Sequence, residues 1–132
     1  MLHIVIAIIL DKNNQILITQ RAKNKHQGGK WEFPGGKVKQ GELAEEALIR
    51  ELDEELDIQI INSEPMMEIR HHYSELSVFL DVYKVTAWQG KVYGKEGQPI
   101  CWIDREALEQ YEFPTANKAI LEALKPFNNY LI

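Results

Sequence analysis

The 132-residue sequence predicts an α/β fold of the α+β type, a β-rich chain whose helices pack on a mixed β-sheet. Three observations carry that expectation. β-Branched runs bounded by turn residues recur through most of the chain. One long stretch of good helix formers, Leu43–Leu56, interrupts them, and shorter helical pieces come only near the end. Strands and helices do not alternate as regular βαβ units, which argues against a doubly wound parallel sheet.

Leu2–Leu10 and Ile16–Arg21 read as a hairpin about the polar turn Asp11-Lys12-Asn13-Asn14-Gln15. Residues 22–30 are a polar loop ending in Gly28-Gly29. Trp31-Glu32-Phe33 is a short strand that Pro34-Gly35-Gly36 should stop. Leu43–Leu56 contains neither proline nor glycine and predicts a helix. Pro65–His71 and Leu76–Ala87 are expected to pair through a turn at Tyr73-Ser74. Residues 88–99 form a glycine-rich loop with aromatic anchors. Ile100–Ile103 is a short strand, a helix follows from Asp104 to about Gln110, and a last helix should run from Ala116 to Lys125, ended by Pro126.

The length and a composition of 45% apolar and 27% charged residues fit one globular domain, residues 1–132, and exclude disorder or fibrous repeats. The single cysteine, Cys101, excludes a disulfide framework and fits a reducing cytoplasm; in a short strand it reads as a buried small hydrophobe. No stretch approaches the ~18 apolar residues of a membrane helix. The run Ile4–Leu10 lacks a basic leader and a cleavage site, so it is read as a strand and not a signal peptide. The formal charge of −5 hides an uneven distribution. Residues 42–57 hold eight acids and one base, while residues 21–39 hold six bases and one acid. A basic loop feeding an acidic helix does not fit a nucleic-acid polymer, which asks for a broadly basic surface. It fits a small polyanion with metal ions between it and the acids.

At about 100° per residue, Glu51, Glu54 and Glu55 share one helix face beside an apolar stripe of Ala44, Leu48 and Leu52. Like charges at these spacings cost a few tenths of a kcal/mol each, more when partly buried. Arg50 can neutralise one of them in part. The bland alternative is a solvated acidic face; placement beside the stripe favours oxygen ligands for a hard cation, Mg²⁺ or Mn²⁺.

The residues Gly36, Glu42, Arg50, Glu51, Leu52, Glu54, Glu55 and Ile58 stand at the fixed positions of the Nudix signature, G-x5-E-x7-R-E-U-x-E-E-x-G-U, where U is a bulky aliphatic residue. The chain therefore resembles the Nudix superfamily across this box, residues 36–58. One position departs: Asp57 stands where the signature has a glycine that caps the helix, often at positive φ. Aspartate tolerates that conformation better than most residues, at a cost near ~1 kcal/mol. The resemblance extends over nearly the whole chain, and within the superfamily it looks closest to the MutT-type 8-oxo-dGTP diphosphatases.

That resemblance implies the Nudix α/β/α sandwich and a set of site residues. Arg21 and His26 match residues near the nucleotide, and Glu32, Phe33, Pro34 and Gly35 match the segment lining its pocket. The Gly35 carbonyl, Glu51, Glu54 and Glu55 match metal ligands, Glu96 an additional acid from another loop, and Asn117 the residue that reads the base. Leu76 departs from the family, whose members often carry arginine there. Each match has a plainer alternative. His26 alone is a solvated loop residue, Trp31 and Phe33 are core aromatics, Glu96 a surface acid, and Asn117 a helix cap. The implied reaction is Mg²⁺-dependent hydrolysis of 8-oxo-dGTP at the β-phosphorus, giving 8-oxo-dGMP and pyrophosphate. Glu51 is the first choice of general base, Glu54 and Glu96 being alternatives, while Arg50 orients the glutamates. The competing expectations are a pyrophosphohydrolase of another nucleotide, such as a pyrimidine triphosphate, and a catalytically inactive nucleotide-binding domain. The expected setting is a cytoplasmic monomer acting on a small-molecule nucleotide, with neither a nucleic-acid polymer nor a membrane as partner.

Overall fold

β1 (Leu2–Ile9) lies at the centre of the molecule because both of its faces are apolar: Val5 to Leu10 are all buried. In the computed structural model, which describes residues 1–25 and 27–125, the elements that follow are β2 (Ile16–Gln20), β3 (Trp31–Glu32), β4 (Gly35–Lys37), α1 (Ala44–Leu56), β5 (Gln59–His72), β6 (Ser77–Gln89) and β7 (Ile100–Ile103). A 3₁₀ helix (Arg105–Gln110), a 3₁₀ turn (Thr115–Asn117) and α2 (Lys118–Ala123) complete them.

The strands form a mixed four-stranded sheet in the order β4-β1-β6-β5 and a three-stranded sheet in the order β3-β2-β7. β1 runs parallel to β6 and antiparallel to β4, and β5 pairs antiparallel with β6. The strand period of two sends Val5, Ala7 and Ile9 toward α1, where Leu48, Leu52 and Leu56 meet them. It sends Ile6, Ile8 and Leu10 to the opposite side, against Phe113, Ile120 and Leu124. Helical layers therefore cover both faces, an α/β/α sandwich of the α+β type.

Four local expectations are corrected. β1 and β2 do not form a hairpin ladder: a single bridge, Leu10 to Ile16, joins them, because β4 and β6 already occupy both edges of β1. The strand at Trp31 does end before Pro34, but Gly35 and Gly36 then form a strand of their own, β4, opposite Ile6 and Val5. A Cβ at Gly35 would strike the Val5 carbonyl, so glycine permits that close approach. The segment after Asp104 is 3₁₀ and not α-helix, and the last helix starts as a 3₁₀ turn at Thr115. β5 begins at Gln59, well before Pro65; as an edge strand it tolerates the proline, with a register shift between Pro65 and Met67. The expected stop at Pro126 lies outside the described residues.

Candidate active site

Helix α1 presents its acids to β4 through one arginine. Arg50 donates from Nε and Nη2 to both carboxylate oxygens of Glu42 (2.8 and 2.9 Å) and from Nη1 to Glu51 (2.9 Å) and, more loosely, Glu54 (3.4 Å). Its Nη2 also reaches the Lys37 carbonyl (2.9 Å), which ties the helix to the end of β4. The guanidinium and the Lys39 N–H hold the Glu42 carboxyl down at about 2, and the arginine's own pKa rises in return. Glu51 lies directly over Gly36, where any Cβ would collide with its carboxylate. This contact gives the signature glycine its reason.

Glu55 is the chemically conspicuous group. Its Oε2 is buried and has no hydrogen-bond partner among the described residues. Burial first, then the charge and hydrogen bond of Glu51, with smaller effects from Glu32 and Glu96, push its carboxyl up to about 9. Glu32, Glu51 and Glu96 are thus all close enough to act on Glu55. Glu32 is itself raised by burial, offset by a short ion pair from Arg21 Nη1 (2.6 Å). Glu54 differs from the expectation of a core-side acid: nearly half its side chain is exposed, and it turns toward Arg50.

No three His, Cys, Asp or Glu side chains among the described residues already enclose a metal position. Glu51 and Glu54 are instead engaged by Arg50. A buried, unpartnered carboxylate oxygen crowded by other carboxylates nevertheless fits a hard divalent cation well.

Segment 31–37 runs from these acids to the opposite side of the sheet, where the Trp31 N–H donates to Glu112 O (2.8 Å) and Phe33 stacks on Phe113 at 5.0 Å. Phe33 is buried in the core, as its plainer reading held. Pro34 is buried and accepts the Ala7 N–H (2.8 Å). Asn117 is 6% exposed, and its side chain makes no capping bond to α2. Its Nδ2 instead reaches Pro114 O at 3.5 Å. The Tyr73 hydroxyl accepts the adjacent Ala116 N–H (3.0 Å), fastening the segment that carries Asn117 to the turn between β5 and β6. Leu76, on that turn, is partly exposed. His26 lies outside the described residues. Cys101 is half-buried, with its Sγ 3.8 Å from the Tyr111 hydroxyl, and not the fully buried hydrophobe expected.

Sequence reasoning missed Tyr73, Lys95 and Gln98. Their partners are 38 to 43 residues away, so no local spacing marks them. The only available signal was the crowding of polar residues around Glu96.

The NUDIX domain model matches residues 5–123. The chain belongs to the Nudix family. Nudix hydrolases depend on divalent metals, generally Mg²⁺, which agrees with the orphaned Glu55 oxygen. The 8-oxo-dGTP diphosphatase of Escherichia coli K12 is 38% identical over 124 residues, covering 94% of this chain and 96% of that protein. The CTP pyrophosphohydrolase of the same organism is 34% identical, covering 90% and 88%. A solved structure from a study of MutT of Aliivibrio salmonicida and Vibrio cholerae superposes with a TM-score of 0.82 at 37% identity, covering 93% and 95%. This Nudix hydrolase is thus similar to MutT proteins in both sequence and fold. No helix among the described residues is long and apolar enough to cross a membrane.

Proposed function

We propose that this Nudix hydrolase converts 8-oxo-dGTP to 8-oxo-dGMP and pyrophosphate, removing an oxidised precursor before it can enter DNA. The observation that carries the reading is the Glu55 carboxyl, crowded by Glu51 and with one buried oxygen lacking a hydrogen-bond partner among the described residues; the buried, non-capping Asn117 supports it. The relatives named for 8-oxo-dGTP support it.

In this reading the Gly35 carbonyl and the carboxylates of Glu51, Glu54, Glu55 and Glu96 would hold Mg²⁺ or Mn²⁺, which would supply charge neutralisation at the phosphates and a more acidic water. Glu51 accepts the proton of the attacking water. Arg50 orients Glu51 and Glu54 and does not touch substrate. Lys23, Lys25, Lys37 and Lys39, all exposed, attract the triphosphate. Arg21 and Glu32, with His26 and the Phe33-Pro34 segment, bound the nucleotide. Oxidation at C8 puts a hydrogen on guanine N7 while O6 remains an acceptor. Asn117 Oδ1 accepts that N7–H, and an Nδ2 hydrogen not directed at Pro114 donates to O6. Normal guanine would set a lone pair against Oδ1. We further propose that residues 1–132 act as one domain, monomeric and cytoplasmic, on a small nucleotide and not on a polymer or membrane.

Pyrophosphate release with and without Mg²⁺, over 8-oxo-dGTP, dGTP and CTP, tests this. A site with paired donors and acceptors should prefer the oxidised base by ~10⁴-fold or more. Asn117→Ala should collapse that ratio chiefly through KM. A ratio within ~3-fold of wild type, comparable to kinetic error, would remove Asn117 as the base reader. The 34% identity to a CTP pyrophosphohydrolase favours a second reading, which the same panel decides: preference for CTP would replace the first.

A further inference from the structure

The side-chain amide of Gln98 joins two elements of the site that lie far apart in sequence. Its Nε2 donates to the backbone carbonyl of Glu55 at 2.9 Å, and its Oε1 accepts the backbone N–H of Glu96 at 3.0 Å. Both ends of one planar, rigid group are thus in use, one on each acid-bearing element. The Glu55 carbonyl also accepts the Lys95 N–H (2.9 Å), and Leu56 O accepts the Tyr93 N–H (3.4 Å). These are carbonyls that a helix end leaves without intrahelical partners. The loop from Tyr93 to Gln98 therefore closes the end of α1 while presenting Glu96. An ion pair between Lys95 Nζ and Asp57 (3.2 Å) adds a second fastening, made by the residue that replaces the signature glycine.

Such a fastening has work to do. Glu96 is exposed at the tip of a tight turn closed by Gly97 N–H to Gly94 O (3.0 Å), near enough to Glu55 to act on its carboxyl. A loop held by its backbone alone yields readily, so the side-chain contact from Gln98 matters for where Glu96 stands. We propose that Gln98 is a positioning residue, whose amide sets where Glu96 stands relative to Glu55. The inference rests on the reading of Glu96 as an acid of the site.

A double-mutant cycle separates the two. Gln98→Ala should lower kcat for 8-oxo-dGTP ~10-fold while KM stays within ~2-fold, the signature of misplacement without lost binding. In metal-free protein, hydrogen exchange at the Glu96 amide should accelerate at least ~10-fold, the loss of a local closing contact. Gln98→Glu keeps the size and the acceptor but loses the donor to Glu55 O, and should show the same kcat loss. In a Glu96→Gln background, Gln98→Ala should cost nothing more, because its target is already gone. Equal losses in both backgrounds would make Gln98 merely structural and overturn the inference. A fully active Gln98→Ala beside a crippled Glu96→Gln would overturn the inference alone. A fully active Glu96→Gln would overturn the role of Glu96, and the inference with it.

Discussion

Glu55 and Asp57, two residues apart, carry opposite kinds of strain. Glu55 keeps a buried carboxylate oxygen without a partner, a cost that makes sense only if a cation later supplies one. Glu51→Gln or Glu55→Gln should therefore lower turnover at least ~10²-fold, on the scale of removing a group that stabilises the transition state. The check is pyrophosphate release at saturating Mg²⁺, and full activity in both variants would sink the ligand assignment. Asp57 caps α1 in the left-handed region (φ 58°, ψ 40°), as its place in the signature predicts. Glycine would relieve about 1 kcal/mol there, but it would also remove the solvent-exposed pair with Lys95, a weak contact screened by water. Asp57→Gly should then change stability by no more than ~1 kcal/mol in denaturant unfolding, less gain than backbone strain alone implies. A loss well beyond that would show that the Lys95 contact is worth more than a surface pair.

Helix α1 was legible residue by residue because its determinants are local: good formers, an apolar stripe at helical spacing, and a conformationally special last position. Leu48 and Leu52 are fully buried where that stripe placed them, Ala44 is partly buried, and Leu56 extends the buried face. Leu52→Ala should cost about 2–5 kcal/mol by thermal or denaturant unfolding, whereas Ile49→Ala, at half-exposed Ile49, should cost well under that. The sheet was less legible. The strand-turn-strand pattern at Asp11–Gln15 is a sound hairpin signal: Asp11 Oδ1 accepts the Asn13 and Gln15 N–H groups (2.9 and 2.8 Å), and the turn forms. What the pattern cannot convey is that β4 and β6 take the two edges of β1, a choice made by residues 29 to 76 positions away. The strand formed by Gly35-Gly36 was hidden for the same reason. Glycine reads locally as a break, yet here it admits the Glu51 carboxylate and the Val5 carbonyl against a strand. The Nudix box was legible because its spacing is rigid. The Tyr73 and Gln98 contacts were not, because each joins a loop to a distant backbone group.

At the scale of the whole molecule, the crowded acids make folding, pH and cation binding one linked equilibrium. Glu42 and Glu55 are displaced in opposite directions from the same ordinary value near 4.5. Glu42 stays ionised down to about 2 beside Arg50, so its stabilisation is present above pH 4.5 and is lost as pH falls toward 2. Glu55 acts the other way. Between pH 4.5 and about 9 the folded chain keeps a proton on Glu55 that the unfolded chain has released, so stability falls as pH rises through that window. Metal-free protein should accordingly be most stable near pH 4–5 as far as these two groups decide it, and its Tm should drop by about 5 °C or more from pH 5 to pH 8. Glu55→Gln, which removes the titration but keeps the shape, should flatten that slope and raise Tm at pH 8. A divalent cation should do the same by displacing the proton, so Mg²⁺ should raise Tm more at pH 8 than at pH 5, and its binding should release protons near neutral pH. Thermal unfolding of wild type and Glu55→Gln, with chelator and with Mg²⁺ at both pH values, measures every arm. If the wild-type slope survives in Glu55→Gln, the proton that couples pH to folding sits on some group other than Glu55.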